Sequence, residues 1–430
     1  MAGWLTELGI MRMDVGAYVE KMGTAAKRAA ARMACASSAL KDEVLERMAC
    51  NILDSSSELK EENRRDLDAA REAGLSSALL DRLELTDKRI DGMAASIRKV
   101  IALPDPVGRI MDGWVRPNGL KVDRARVPIG VICMIYESRP NVTADAASLC
   151  LKSGNAVILR GGKEAIHSNL AVHRQFVKAC EGTGIDPKAV QMIDTPDREV
   201  VNQLLRADQY VDLVIPRGGK GLIRTVVETA TMPVIKHYEG ICHVYVDRAA
   251  DLDMAVSICH NAKCQRPGVC NAMETLLVHQ DVAEEFFPKM LPVFEKEGVE
   301  LRGCESCCKM APSMKKATPA DWTTEYLDLI LAVRVVRSAD EAIDHINRFG
   351  SGHSDAIVTR DFGAAQKFLD EVDSAAVFVN TTTRFDDGEQ LGLGAEIGIS
   401  TDKLHARGPM ALQELTTYKW RIIGNGQLRT

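Results

Sequence analysis

A cysteine that follows a Pro-Gly pair is the residue of this chain best suited to attack a carbonyl carbon. Pro267 fixes φ and Gly268 accepts conformations that other residues avoid, so residues 265–272 are predicted to form a tight turn between a helix and a strand. On such a turn the Cys270 sulfur would face open space, beside backbone N–H groups and Arg266 that favour a thiolate and could hold an oxyanion. The local sequence leaves open an inert, half-buried cysteine.

Two strand-to-helix junctions combine glycines with basic residues. Glycine lets the backbone approach a ligand closely, and a helix N-terminus attracts anions such as a pyrophosphate. Neither junction matches G-x-G-x-x-G, and an ordinary turn is the alternative for each; two such junctions in succession favour a dinucleotide site. The residues concerned are Arg160, Gly161 and Lys163 in the first junction and Gly218, Gly219 and Lys220 in the second.

Two further polar runs follow predicted strands. Residues 136–141, which include Arg139 and Asn141, end the first strand of a parallel series, and ligands of open α/β sheets bind beyond the carboxyl ends of strands. Arg139 could meet a phosphate or a carboxylate, although a lone arginine is more often an ion-pair partner. Asn380 and Arg384 belong to a hydroxyl-rich run suited to a small polar zwitterion, with a solvated loop as the alternative.

The bulk composition limits the class of protein. The chain has 430 residues, 46% of them hydrophobic and 27% charged, and a net charge of −6, which are ordinary values for a globular protein of two or three structural units. Basic residues are scattered, which argues against nucleic-acid or membrane-surface binding. Residues 1–7 lack the charged-then-apolar order of a secretory signal, so we expect a cytoplasmic protein.

Twelve cysteines are dispersed along the chain, and three of them cluster within residues 304–308. A chain of this size does not need disulfides. No cysteine pair or histidine completes a tetrahedral metal set at the usual spacing, although Cys259, His260 and Cys264 could meet the cluster in space. We therefore predict reduced, structural or incidental thiols and no metal site.

The elements that must position these residues change in character along the chain. Residues 14–103 show only helical periodicity, and a hairpin is predicted over 110–127, around Asn118-Gly119. From residue 127 strands and helices alternate, first with strands at 130–135, 156–159, 190–193 and 211–215, and again from about 254 to 379. This pattern predicts an α/β protein with two mostly parallel α/β lobes. The hairpin is either an arm for subunit contact or a solvent-exposed flap.

Taken together, the chain resembles the glutamate-5-semialdehyde dehydrogenases, also called γ-glutamyl phosphate reductases, a branch of the aldehyde dehydrogenase superfamily. The resemblance covers nearly the whole chain, and its motifs occur in one order. They lie at residues 127–142, 152–162, 265–272, 380–385, 392–400 and 405–420.

The resemblance implies NADPH-dependent reduction of L-glutamate 5-phosphate to glutamate 5-semialdehyde in proline biosynthesis, with Cys270 as nucleophile. It implies an aldehyde dehydrogenase-like fold with a Rossmann-like NADP-binding domain (1–109 and 128–239), a catalytic α/β domain (240–400) and a small oligomerisation element (110–127 and 401–430). No kinase segment precedes Met1, so we expect the stand-alone form of the enzyme. The implied partners are further copies of the chain and, transiently, glutamate 5-kinase.

The resemblance also implies roles for individual residues. Ser138 stands near the position of an oxyanion-supporting Asn in hydrolytic relatives and would replace it only weakly. Arg160 falls where relatives contact the adenosine ribose, and Glu325 where they hold the nicotinamide ribose; Arg160 and Lys163 suit the 2′-phosphate of NADP. Glu239 is only an approximate counterpart of the general base of hydrolytic relatives, so we expect a structural or substrate-amine contact there.

Three other readings remain open. The chain could be a hydrolytic NAD(P)-dependent aldehyde dehydrogenase, which would need a well-placed glutamate to activate water and would produce an acid without phosphate. It could also be a non-catalytic partner of the kinase, against which the intact Cys270 and glycine junctions argue. Reduction of another acyl phosphate is chemically close, but families with that activity lack the motifs at 392–400 and 405–410.

Overall fold

The computed structural model describes residues 13–429 and begins with five helices, which confirms the predicted helical character of 14–103. The predicted lack of a signal at residues 1–7 lies outside the described residues. Asp14, Ser37 and Thr86 each precede a helix and accept a hydrogen bond from the N–H three residues on, which fixes where these helices begin. The helices are α1 (Val15–Met33), α2 (Ser38–Asp54), α3 (Ser56–Glu72), α4 (Ser77–Leu83) and α5 (Asp87–Ala102).

The predicted hairpin is confirmed and gains a third strand. Strands β1 (Ile110–Val115) and β2 (Lys121–Pro128) are antiparallel, and Gly119 takes the positive φ of 86° that the turn requires. The C-terminal strand Thr416–Ile423 pairs antiparallel with the other edge of β2. This three-stranded sheet bears an aromatic face, which we define as Trp114, Tyr418 and Trp420, each 45–49% exposed.

A four-stranded parallel sheet follows, as predicted, in the order β5-β4-β3-β6. Its strands are buried nearly throughout, which explains their continuous apolar sequences. The last strand begins at Leu213 rather than at the predicted Val211. The elements are β3 (Val131–Tyr136), α6 (Asn141–Lys152), β4 (Ala156–Arg160), α7 (Ile166–Cys180), β5 (Val190–Met192), α8 (Arg198–Leu204), β6 (Leu213–Arg217) and α9 (Lys220–Thr229).

The second alternating series forms a seven-stranded parallel sheet in the order β10-β9-β11-β8-β7-β12-β13, beside a two-stranded antiparallel pair, β14-β15. The elements are β7 (Cys242–Val246), α10 (Leu252–Cys264), β8 (Met273–His279), α11 (Gln280–Lys296), β9 (Glu300–Gly303), α12 (Glu305–Met310), β10 (Lys315–Lys316), β11 (Ile330–Val336), α13 (Ala339–Phe349), β12 (Ser354–Val358), α14 (Phe362–Glu371), β13 (Ala376–Val379), β14 (Gly398–Ser400), β15 (Gly408–Met410) and β16 (Thr416–Ile423).

The chain divides into two compact units. Unit 1 contains the residues up to Gly218, Thr225–Val234 and the residues from Leu415 onward, so it includes the four-stranded sheet and the three-stranded sheet. Unit 2 contains Gly219–Arg224 and Ile235–Glu414, with the seven-stranded sheet. The segment 401–430, predicted as one element, is therefore shared between the units at residue 415. Within residues 13–429, no helix combines the length and apolar character needed to cross a bilayer.

Candidate active site

The turn that carries Cys270 lies between α10 and β8 in unit 2, as predicted, and leaves Cys270 partly exposed. Two side chains hold its backbone. The Cys242 thiol donates to the Cys270 carbonyl oxygen over 3.1 Å, and the Thr383 hydroxyl donates to the Asn271 carbonyl oxygen over 2.8 Å. Because these contacts come from two other segments of the chain, the turn is fixed by the fold as well as by its Pro-Gly pair.

Gly240 packs against this turn more closely than any other residue type could. A methyl group built on Gly240 would lie 2.5 Å from both Cα and the carbonyl carbon of Cys270. The Gly240 N–H donates to Glu325 Oε1 over 2.8 Å, and burial raises the pKa of Glu325 above its ordinary value. Glu325, predicted to hold the nicotinamide ribose, thus anchors the backbone that supports Cys270.

Two histidines that the sequence analysis missed lie beside Cys270. One ligand atom from each of His237, Cys270 and His353 falls within 4.8 Å of the other two. The cause is strand order: β8, β7 and β12 are parallel neighbours, and all three residues precede one of these strands. Burial lowers the pKa of His353 to about 3, so its ring is neutral at physiological pH.

Two arginines predicted to bind substrate, Arg266 and Arg384, also belong to the surroundings of Cys270. Burial and the charge of Arg266 hold the pKa of Arg384 below its usual value, while Cys270 acts in the opposite direction. The Arg384 Nε donates to the amide oxygen of Gln265 over 2.9 Å. The structure therefore brings the Cys270 thiol and two guanidinium groups into electrostatic range of one another in unit 2.

Asn380 directly follows β13, and its amide is held by the end of β12. It accepts from the Thr359 N–H and donates to the Thr359 carbonyl, each over 2.9 Å. Three residues further on, Thr383 reaches the turn at Cys270 through the Asn271 carbonyl. That Asn380 contacts the substrate stays a prediction, and its amide already has two partners.

In unit 1, the carboxyl ends of the adjacent strands β4, β3 and β6 bring Arg160, Ser138 and Gly218 to one sheet edge, as the parallel pattern predicted. The Ser138 hydroxyl donates to Glu164. Its single proton is therefore engaged, which weakens the prediction that Ser138 supports an oxyanion. The remaining two predicted residues of this run are exposed, and the Asn141 amide donates to Asp145 over 3.0 Å.

The first glycine junction is confirmed as a strand-to-helix turn with little room at its glycine. A methyl group on Gly161 would lie 3.0 Å from Asn169 Cγ. Burial and the nearby Arg198 lower the pKa of Arg160, so two guanidinium groups lie within electrostatic range of each other, while Lys163 is exposed. Arg198 begins α8 and was missed by the sequence analysis, because its side chain reaches Arg160 only through the fold.

The second junction leads from β6 into α9, which begins at Lys220. A methyl group on Gly218 would lie 2.5 Å from Glu137 Cδ, whereas Gly219 is exposed. Lys220 forms an ion pair with Glu239 in unit 2. The carboxylate considered as a hydrolytic base is thus paired with a cation, and the lysine predicted to bind cofactor has an acidic neighbour.

The cysteines at 304–308 do not form a metal-binding set with Cys259, His260 and Cys264. Cys304 and Cys307 have their sulfur atoms 3.4 Å apart, Cys259 is fully buried, and His260 faces Glu297 over 3.4 Å. Among the described residues, the one group with metal-ligand geometry is that of His237, Cys270 and His353.

The profile of the aldehyde dehydrogenase family matches residues 11–328 and 322–420. The chain belongs to the aldehyde dehydrogenase family. A gamma-glutamyl phosphate reductase of Moorella thermoacetica is 56% identical to this aldehyde dehydrogenase family member over 417 residues, which are 97% of this chain and 100% of that protein. This relationship places the chain in the gamma-glutamyl phosphate reductase branch, as the sequence resemblance predicted.

Solved structures of the aldehyde dehydrogenase family agree with the fold. The crystal structure of gamma-glutamyl phosphate reductase from Thermotoga maritima matches with a TM-score of 0.94 and 47% identity, covering 96% of this chain and 100% of that one. An engineered glycolyl-CoA reductase with bound NADP+ matches with a TM-score of 0.67 and 16% identity over 94% of this chain and 96% of that one, a likeness of fold alone. The predicted aldehyde dehydrogenase-like α/β fold is confirmed.

Proposed function

We propose that this chain reduces L-glutamate 5-phosphate to L-glutamate 5-semialdehyde and phosphate, with NADPH as reductant and Cys270 as nucleophile, in the biosynthesis of proline. The observation that carries the proposal is the held turn at Cys270, with Gly240 packed beneath it and Arg384 within electrostatic range. The name of the relative from Moorella thermoacetica supports the choice of substrate.

The first chemical step follows from the groups around Cys270. The thiolate attacks the carbonyl carbon of the acyl phosphate, the C–O bond to phosphate breaks, and the acyl group remains on the sulfur as a thioester. Arg266 and Arg384 are suited to stabilise the thiolate and the departing or carboxylate oxygens, because guanidinium groups pair strongly with such anions. Backbone N–H groups of the turn would hold the oxyanion, a role left to them because the Ser138 proton is engaged by Glu164.

The residues of unit 1 fit a dinucleotide that carries an extra phosphate. Arg160, at the carboxyl edge of the four-stranded sheet, lies within electrostatic range of both Glu164 and Arg198, and an anionic ligand between the two guanidinium groups would offset their repulsion. We infer that this pair holds the 2′-phosphate of NADP, with Gly161 and the junction at Gly218 and Gly219 near the rest of the nucleotide. When bound, NADPH would supply the hydride that reduces the thioester to the aldehyde, with Cys270 released as the thiolate.

The ion pair between Lys220 and Glu239 argues for phosphate release over hydrolysis. A general base must be free to take a proton from water, and the Glu239 carboxylate is engaged by Lys220. In the proposed reaction phosphate itself is the leaving group, so no water needs activation. The second candidate, a hydrolytic aldehyde dehydrogenase, would need a water-activating carboxylate, and Glu239, the approximate counterpart of that residue, is engaged by this contact.

We also propose that the enzyme is a cytoplasmic homo-oligomer that contacts glutamate 5-kinase transiently. The aromatic face supports self-association, because three large rings that are about half exposed on one small sheet are typical of a protein interface. Arg124 stacks on two of these rings, 5.1 Å from the Tyr418 centroid and 5.4 Å from that of Trp420. The kinase contact rests on the resemblance alone.

The experiment that tests the function is the reverse reaction with glutamate 5-semialdehyde and NADP, run with and without inorganic phosphate. Wild-type protein should form NADPH only when phosphate is present, and Cys270→Ala should abolish the reaction. Cys264→Ser, a partly buried cysteine on the same helix–turn segment, is the matched control and should keep activity. Phosphate-independent turnover would instead indicate the hydrolytic class.

A further inference from the structure

Three potential metal ligands converge at the amino ends of β8, β7 and β12. A ring nitrogen of His237, the Cys270 sulfur and a ring nitrogen of His353 lie within 4.8 Å of one another. Around a tetrahedral Zn²⁺, with bonds of about 2.0–2.3 Å, ligand atoms lie roughly 3.5 Å apart. Side-chain rotations that move these atoms by about an ångström would therefore bring all three within bonding distance of one ion. The fourth coordination position would be left for water.

In both imidazole rings a hydrogen bond fixes a proton on Nδ1. The lone pair that could bind a metal is then on Nε2. Ser354 Oγ donates to the Asp386 carboxylate over 2.6 Å, so it must accept from His353 Nδ1, which lies 2.7 Å away. His237 Nδ1 lies 3.0 Å from the Ile399 carbonyl oxygen, an acceptor only, so Nδ1 carries the proton. In the neutral form of each ring, the lone pair is therefore on Nε2.

This second layer of contacts is the arrangement that metal-ligating histidines show. A ligating histidine gives its other N–H to a carboxylate, directly or through another group, or to a backbone carbonyl, which fixes the tautomer and ring orientation. His353 has the first kind of support and His237 the second. His353 Nε2 is also fully buried and has no hydrogen-bond partner among residues 13–429, so a ligand would satisfy it.

Charges of both signs lie near the three ligands. The Asp386 carboxylate lies behind His353, with its Oδ2 3.5 Å from His353 Nδ1. Arg384 lies within electrostatic range of Cys270 and of Arg266, and these two guanidinium groups oppose a dication. The Cys242 sulfur lies 3.8 Å from His353 Nδ1, and its thiol donates to the Cys270 carbonyl oxygen over 3.1 Å.

We propose that His237, Cys270 and His353 form a site for Zn²⁺ or a cation of similar preference, and that its occupancy blocks the enzyme reversibly. On binding, the Cys270 thiol loses its proton to solvent and the sulfur electron pair bonds to the metal, so the oxidation state of every atom is unchanged. A sulfur held by the ion cannot attack an acyl phosphate. The blocking rests on the proposed role of Cys270, whereas the metal site itself does not.

The test uses Co²⁺ as a spectroscopic substitute for Zn²⁺ on the full chain under reducing conditions. Wild-type protein should bind one Co²⁺ with a thiolate-to-cobalt absorption band that Zn²⁺ displaces. Cys270→Ser should remove the band, and His237→Asn and His353→Gln should each weaken binding at least tenfold. His237 is only partly buried, so its variant tests the site even if the His353 variant does not fold. Cys304→Ser and His260→Asn are the matched controls and should bind like wild type.

The outcomes separate the two parts of the proposal. A band that persists in Cys270→Ser, disappears in Cys304→Ser, or is absent from wild type would overturn the metal site. Zn²⁺ should inhibit NADPH-dependent turnover, slow the alkylation of Cys270 by iodoacetamide, and be reversed by a chelator. If the band depends on Cys270 and both histidines while Zn²⁺ leaves turnover unchanged, the site stands and the assignment of Cys270 as nucleophile falls.

Discussion

Gly240 and Cys270 meet backbone against backbone: a methyl group on Gly240 would lie 2.5 Å from the Cys270 α-carbon. The contact involves main-chain atoms of both residues. No change of side-chain conformation could therefore relieve the clash that a larger residue at position 240 would make. The position of Cys270, the proposed nucleophile, therefore depends on a residue thirty positions earlier in the chain.

Gly240→Ala should lower kcat/KM by about 100-fold or more, because displacement of a nucleophile by about 1 Å has costs of that size. The variant should fold, and its Cys270 should react with iodoacetamide at an altered rate. Gly92→Ala is the matched control, since a methyl group at that helical position meets nothing within 4 Å among the described residues. Unchanged kcat/KM in Gly240→Ala would contradict the importance of this contact.

Arg384→Ala should raise KM for the amino-acid substrate about tenfold or more and leave KM for NADP nearly unchanged. The reason is the place of Arg384 beside Cys270 in unit 2 and its hydrogen bond to Gln265. Steady-state kinetics in the reverse direction measure both constants. Arg360→Ala, which removes an exposed arginine paired with Asp251, should change neither. A selective effect of Arg384→Ala on NADP would reassign this residue to the cofactor.

Arg198→Ala should raise KM for NADPH about tenfold while changing KM for NADH by less than about twofold, because a charge-assisted contact to phosphate contributes about 1.5–3 kcal/mol. Competition between the two cofactors measures the selectivity directly. Arg206→Ala is an exposed control in the same unit. Equal losses for both cofactors would show that the pair of Arg160 and Arg198 does not recognise the 2′-phosphate.

His345 should make the protein less stable in acid. Burial lowers the pKa of His345 to about 3, and the charges of His243 and of Arg334, whose Nη1 lies 3.0 Å from His345 Nδ1, act in the same direction. With a folded pKa below the unfolded value of about 6.5, the stabilisation is complete above pH 6.5 and is lost as pH falls toward 3. The free energy of unfolding should fall by up to about 1.4 kcal/mol per pH unit in this window, and His345→Gln should flatten the slope in denaturant titrations. An unchanged slope would contradict the shift.

Trp420→Asp should reduce the oligomeric mass, because it places a charge in the aromatic face proposed to mediate self-association. Light scattering across a range of concentrations measures the effect. Leu428→Asp, at an 86% exposed position in the same unit, is the control and should not change the mass. A wild-type protein that is monomeric at all concentrations would contradict the proposed interface.

The sequence predicted the elements well because local patterns determine them. Continuous apolar runs indicated the parallel strands, and the Asn118-Gly119 turn indicated the hairpin. The carboxyl edge of unit 1 could also be predicted, since parallel strands end together there. The pairing of β16 with β2 joins Thr416 to Pro128, a separation that no local pattern indicates.

The residues that make up the site were harder to predict from the sequence than the elements were, because the site depends on the order of strands in the sheet. His237 and His353 meet at Cys270 since β8, β7 and β12 are neighbours, an order that differs from the order along the chain. One signal in the sequence pointed to His353: it directly precedes the strand that becomes β12, a place where an apolar residue would be ordinary.

The position of β16 has a consequence for synthesis on the ribosome. Unit 1 needs β16 to cover the edge of β2 and needs the Leu415 carbonyl to bind the Asn155 amide, yet both lie beyond all of unit 2 in the chain. Translation at about 5–20 residues per second therefore leaves β2 with an open edge for roughly 10–60 seconds while unit 2 emerges. An unpaired strand edge can associate with other nascent chains. We therefore expect unit 1 to misassemble more readily than unit 2 during translation.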